Sequence, residues 1–239
     1  MKGYLKQRKI RLTKKDIENM SVFFHFDSSN LTTTVFAHLP LNLKHHSIHV
    51  GAVAGLMAMY TPENALPEGM TRKEYANAVR YGSFYHDIGA YLVPNQYKLY
   101  PESGERFLRE EISERALPPA TRKIILETVK YCCERYDGQG FPDRLAGNDI
   151  PLYAGICAIA NMVDTMIPVK YSPFKNPLTD AKEAVMKETG KQFSSEAVGC
   201  FIEAFNDIGY LYKCWRKKPP IWKSKDIDPM NRPIDHQIG

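Results

Sequence analysis

The chain has 239 residues, 44% hydrophobic and 25% charged, the composition of a globular protein able to bury a real core. No run of about 18 apolar residues occurs, which excludes a membrane-spanning helix. The basic start Met1–Lys9 lacks the apolar stretch of a signal peptide, so a cytoplasmic location is expected. Five cysteines, an odd number with no Cys-x-x-Cys pair, agree with a reducing compartment. The net charge of +5 suits a phosphate-bearing ligand. Most of the excess, however, sits in two terminal clusters, Lys6–Lys15 and Lys213–Lys225, which read as solvated faces.

In chain order the sequence reads as mostly helix. After the polar, basic start, Thr13-Lys14-Lys15-Asp16 resembles a helix beginning, with a short helix expected from Asp16 to Met20. Val22–Phe26 is apolar and aromatic, fit for a strand or for packing in a helical core. Pro40 breaks the chain, and Leu43 to Tyr60 then makes a long apolar helix. Its His46, Val50, Val53 and Met57 fall at helical spacing, which turns His46 toward the core side, flanked by His45 and His49. Pro62 to Gly69 is a loop, and Thr71-Arg72-Lys73-Glu74 is a capping box opening the next helix. The apolar run Ala76–Ile88 reads as that helix, buried, with Gly89 as its stop.

A charged helix is expected from Glu105 to Ala116 and another from Thr121 to Arg135. Asp137-Gly138-Gln139-Gly140-Phe141-Pro142 must be a turn, having two glycines and a proline in six residues. Pro151 starts a buried helix, Tyr153 to Met166, on which Cys157, Asn161, Asp164 and Thr165 share one stripe. Asn161 and Asp164 are too polar for a bare core face, so that stripe looks at something polar. Ala181–Lys187 and Ser195–Tyr212 close the core. The segmentation is residues 1–40 packing on the core, 41–212 as the main domain, and 213–239 as a basic, proline-rich irregular arm.

The chemistry centres on His86-Asp87. An imidazole nitrogen and a carboxylate oxygen on adjacent residues can grip one divalent ion, and such an ion lowers the pKa of a bound water. The bland alternative is a capping or salt-bridging pair at a helix end. A buried pair needs a partner, and a metal is one.

From His46 to about Phe205 the chain resembles the HD superfamily of metal-dependent phosphohydrolases, and within it the HD-GYP branch that cleaves cyclic dinucleotides such as cyclic di-GMP. The stretches that carry the resemblance are His46–Val50, Tyr85–Gly89, Glu134–Pro142, Asn148–Ile156, Ala160–Asp164 and Gly190–Phe193. Phe141 stands where the signature has tyrosine. The resemblance implies an all-α HD-domain bundle, with extra terminal helices and the irregular C-terminal arm. It also implies metal ligands on a Glu and His four apart, the His-Asp pair, a His before Pro, a His-His pair and a late Asp. Of these, His46, His86 and Asp87 stand. The other positions carry Asn42, Tyr100, Cys132-Cys133 and Asn161, and the lysine after His-Asp-Ile-Gly is Ala90.

Two imidazoles and one carboxylate disfavour a dinuclear centre, which needs bridging carboxylates. The implied cofactor is one divalent ion at most (Fe, Mn or Zn) on His46, His86, Asp87 and the neutral amide of Asn161, or none. Catalytic roles fall to His86 and Asp87. Cys132 and Cys133 are alternative soft-metal ligands or buried space-fillers, the latter favoured. Arg135, Asp137, Gly138, Gly140 and Asp164 are the candidate ligand-binding positions, with Lys130 and Arg144 as further basic neighbours of the turn. Two functions follow as expectations. The first is a degenerate, weakly or non-catalytic signalling module that binds a nucleotide, a cyclic dinucleotide or a protein partner. The alternative is a residual mononuclear phosphohydrolase using His46, His86 and Asp87. No aromatic–basic interleaving points to nucleic acid.

Overall fold

A computed structural model describes residues 12–15, 41–112, 114, 117–167 and 177–217. The expected helix Asp16–Met20, the apolar run Val22–Phe26 and the arm from residue 218 onward lie outside the described residues. Helix α1 is Leu41–Ala58, and the capping box opens α2, Arg72–Phe84. Thr71 Oγ1 accepts from the Glu74 amide at 3.3 Å while Glu74 Oε2 accepts from the Thr71 amide at 2.8 Å, satisfying two otherwise orphaned donors.

The next boundary differs from expectation. Helix α2 stops at Phe84, and Tyr85 turns its amide back to the carbonyls of Tyr81 and Gly82. Asp87 then precedes a short new helix, α3, Ile88–Leu92. His86 and Asp87 therefore sit in the turn between two helices, not in the last turn of one. Gly89 is not a stop but part of α3, where a Cβ would lie 1.8 Å from the Tyr100 carbonyl oxygen. Only a hydrogen fits between α3 and the following helix.

That helix, α4, runs Tyr100–Glu111, starting five residues earlier than expected and ending short of Ala116. Pro101 falls in its first turn, where a missing N–H costs nothing, so the proline opens the helix instead of delaying it. Pro119 does the same for α5, Pro119–Tyr131, which ends before Arg135 with Cys132 as its C-cap. Helix α6 is Leu152–Met166, α7 is Pro177–Lys187, and α8 runs Ser195–Lys217, past the expected end at Tyr212. The described residues contain no strand, only an isolated bridge between Thr189 and Phe193.

The fold is an all-α bundle. Helix α1 packs against α2, α6 and α8, α2 also packs on α5, and α3, α4 and α5 form a succession along one side. The large core joins Val50, Val53, Leu56 and Met57 of α1 to Tyr75 and Val79 of α2, Ile156, Ile159 and Val163 of α6, and Phe201, Leu211 and Trp215 of α8. A smaller cluster of Ile48, Phe84, Tyr85, Ile88, Leu108, Leu126 and Val129 lies beneath the α2–α3 turn. The turn that carries His86 and Asp87 is thus clamped on an apolar base, which fixes the rotamers above it. No helix of the described residues is long and apolar enough to cross a membrane.

Candidate metal centre and cavity

Helix α1 presents His46 toward the α2–α3 turn, and its ring centroid lies 5.3 Å from that of His86. Each imidazole has its far nitrogen anchored. His86 Nδ1 donates to the Ser83 carbonyl oxygen at 2.8 Å, and His46 Nδ1 lies 2.8 Å from Asp164 Oδ2. A carbonyl and an ionised carboxylate only accept, so both Nδ1 atoms carry a proton and each ring turns its Nε2 forward. The two Nε2 atoms meet at one point. His86 Nε2 is 3.2 Å and His46 Nε2 3.6 Å from Asp87 Oδ2. His86 Nε2, fully buried, has no hydrogen-bond partner.

Lone pairs facing a carboxylate oxygen repel unless a proton or a cation stands between them. Burial alone would lower the His86 pKa, but the Asp87 carboxylate outweighs it and raises it. Burial likewise pushes Asp87 up, and His86 and His46 more than reverse that. A divalent ion meets the same demand better. Two neutral imidazole nitrogens and one carboxylate oxygen, within 4.8 Å of one another, are the donor set of Fe, Mn or Zn. The donors fit one ion. His46, His86 and Asp87 would hold it, and it would supply Lewis acidity and an acidified water.

Behind these donors stands Asp164 of α6, buried, with three donors on one carboxylate. Besides His46, it accepts from His49 Nδ1 at 3.0 Å and from the Tyr212 hydroxyl at 2.8 Å, both on Oδ1. Burial would raise its pKa, but the hydrogen bonds and charges of His46 and His49 hold it down at about 2. His49 in turn stacks on Trp215 at 4.2 Å. Asp164 was expected to face a ligand; its carboxylate instead orients histidines and does not line the cavity. Ser83, Tyr212 and Trp215 were not singled out from the sequence. Tyr212 and Trp215 share one helical face at i, i+3, but nothing in the chain says that the face meets Asp164.

Asp87 forms part of the wall of an open cavity of about 890 Å³. Asn161, Cys132, Cys133, Arg135 and Gly140 line it too, as do Lys98, Tyr97, Tyr100 and Phe141. Among the described residues neither cysteine joins the His46–His86–Asp87 donor group. The Cys132 and Cys133 sulfurs are 3.9 Å apart, and Cys133 Sγ shares a 2.8 Å hydrogen bond with the Tyr100 hydroxyl. The contact between the sulfurs, then burial, raises the Cys132 thiol; the same contact lowers Cys133, against burial and with help from Tyr100. Burial above all pushes the Tyr100 phenol up, so it stays neutral.

The glycine turn is held from inside. Glu134, buried just past the end of α5, accepts from the Asp143 amide at 2.7 Å and the Leu145 amide at 3.1 Å. The Tyr136 and Asp137 amides donate to the carbonyls of Gln192 and Lys191, tying the turn to the segment before α8. Gly138 takes a left-handed φ of 74°, and at Gly140 a Cβ would lie 2.4 Å from the Arg135 amide nitrogen. Arg135 and Asp137 bind each other, guanidinium to carboxylate at 3.1 and 2.8 Å. Arg135 therefore reaches the cavity already paired. Asp137 and Gly138 are not in its wall, and Lys130 bonds Asp143 at 2.6 Å.

Residues 41–193 match the family model described as HD domain. The chain is 27% identical over 173 residues to a 3'3'-cGAMP-specific phosphodiesterase of Vibrio cholerae, covering 68% of this chain and 33% of that protein. It is 26% identical over 228 residues to a cyclic di-GMP phosphodiesterase of Thermotoga maritima, covering 88% of this chain and 59% of that protein. A cyclic di-GMP phosphodiesterase response regulator of Xanthomonas campestris is 38% identical over 71 residues, 29% of this chain and 18% of that protein. The chain thus spans about a third and about three fifths of the first two relatives. With the family model matched from α1 to the segment before α8, this chain belongs to the HD-domain superfamily, and within it to the HD-GYP type.

Proposed function

We propose that this protein is a cyclic-dinucleotide-related module that holds one hard divalent ion on His46, His86 and Asp87, binds a phosphate-bearing nucleotide in the adjoining cavity, and turns it over weakly or not at all. The observation that carries this is the carboxylate count. A second hard ion beside the first needs a bridging or flanking carboxylate. The other carboxylate in the cavity wall is that of Glu134, and its two oxygens are taken by the Asp143 and Leu145 amides. Asn161 offers a neutral amide there, Tyr100 a neutral phenol, and Cys132 and Cys133 offer sulfur. A pair of hard ions could not flank an attacking and a leaving oxygen here.

The ligand class rests on the named activities of the relatives and on the cavity itself, large enough for a nucleotide and bordered by Lys98 and an aromatic trio of Tyr97, Tyr100 and Phe141. The test is equilibrium binding of cyclic di-GMP and 3'3'-cGAMP with Mn(II) present, beside product analysis of the same mixtures. Saturable binding with only a trace of linear dinucleotide supports the proposal. Sustained turnover abolished by His86→Ala and Asp87→Ala refutes it in favour of a second reading, a mononuclear phosphohydrolase. One observation favours that reading: both imidazoles are pre-set in the tautomer that offers Nε2 to a metal.

A further inference from the structure

We infer that Cys132 and Cys133 form a second, softer cation site: a vicinal dithiolate edge, on the wall of the same cavity, that chelates one zinc-like thiophilic ion. The argument is geometric. With two metal–sulfur bonds of about 2.3 Å, the observed 3.9 Å between the sulfurs sets an angle of about 116° at the metal, close to tetrahedral. The separation is nearly twice the ~2.05 Å of a disulfide, so the pair stands open as a chelate rather than as a cystine about to close. Both residues line the cavity, which gives an ion a way in and leaves the remaining positions to solvent or to a ligand oxygen.

Three neighbours position the sulfurs. The Tyr100 hydroxyl shares a 2.8 Å hydrogen bond with Cys133 Sγ, and the Cys132 thiol donates to the Val129 carbonyl at 3.3 Å and to the His86 carbonyl at 4.0 Å, bonds that it gives up when a metal replaces its proton. Two imidazoles and a carboxylate on one side and two sulfurs on the other sort ions by softness, because thiolates favour Zn over Mn. The inference does not depend on nucleotide binding, and its failure is separable from that of the Mn(II) site.

The test uses Co(II) as a coloured stand-in for zinc, with the reduced protein kept free of oxygen. An intense near-ultraviolet sulfur-to-cobalt band should saturate at one Co(II) per chain and be displaced by Zn(II). It should vanish in the double variant Cys132→Ser/Cys133→Ser and persist in Cys214→Ser, while Mn(II) binding stays unchanged in both. No such band, or a band that survives the double substitution, overturns the inference. Should the double variant misfold, alkylation of the unaltered protein decides: zinc should slow modification of Cys133 by more than about ten-fold and leave Cys214 unaffected, since a metal-held thiolate is no longer a free nucleophile. Equal rates at Cys133 with and without zinc overturn it.

Discussion

Asp164→Asn tests whether the histidines are held in position by the carboxylate behind them. The carboxylate accepts three hydrogen bonds, from His46, His49 and Tyr212, at 2.8 to 3.0 Å and almost out of contact with water. Its pKa of about 2 lies nearly two pH units below the ordinary aspartate value of about 3.9, which corresponds to about 2.5 kcal/mol of folding stability. The sign follows from the depressed value. The contribution is full above the unfolded pKa and is lost as pH falls from about 4 through about 2. Asparagine keeps the shape but replaces one acceptor oxygen with a donor, so one of the three donors goes unsatisfied in a buried site. Denaturant unfolding of the metal-free protein at pH 7 should show Asp164→Asn destabilised by about 3 kcal/mol. The gap should shrink at pH 3. A variant within about 0.5 kcal/mol of the parent at pH 7, or a gap as large at pH 3 as at pH 7, refutes the reasoning.

Other perturbations probe the supports of the site. Gly89→Ala puts a methyl 1.8 Å from the Tyr100 carbonyl and should cost about 3 kcal/mol or more, read as a lowered melting temperature. Trp215→Ala removes the ring beneath His49 and should destabilise by about 3–5 kcal/mol in denaturant unfolding. Glu134→Gln exchanges a charged acceptor of two amides for a neutral one; hydrogen exchange at the Asp143 and Leu145 amides should accelerate by at least about ten-fold. Lys130→Ala breaks a partly exposed ion pair with Asp143 and should change stability by less than about 1 kcal/mol.

Much of this structure could be read from local sequence. The apolar spacing on α1 and α6, the Thr71–Glu74 box and the glycine turn all have causes within a few residues, and each is found where the spacing puts it. Boundaries shifted at prolines: the expected starts at Glu105 and Thr121 lie past Pro101 and Pro119, which the helices include in their first turns. The α2–α3 break was hidden because Gly89 answers to the Tyr100 carbonyl, eleven positions away, and not to a helix end.

At the site, His46, His86 and Asp87 come together as their residue types suggested. The polar stripe of α6 divides. Asp164 turns toward α1 and α8, whereas Asn161 and Thr165 face the cavity, a split that depends on which helices flank α6. The pairing of Arg135 with Asp137 was equally out of view, since two candidate ligand residues neutralise each other across one turn.

The most direct measurement is the Mn(II) stoichiometry of the purified chain, by titration and by elemental analysis after desalting, beside His86→Ala. Manganese is chosen because sulfur does not favour it, so Cys132 and Cys133 do not enter the count. One ion per chain, lost in His86→Ala, is the predicted result. Two ions per chain, or one that His86→Ala leaves in place, would contradict a single hard-metal centre on His46, His86 and Asp87.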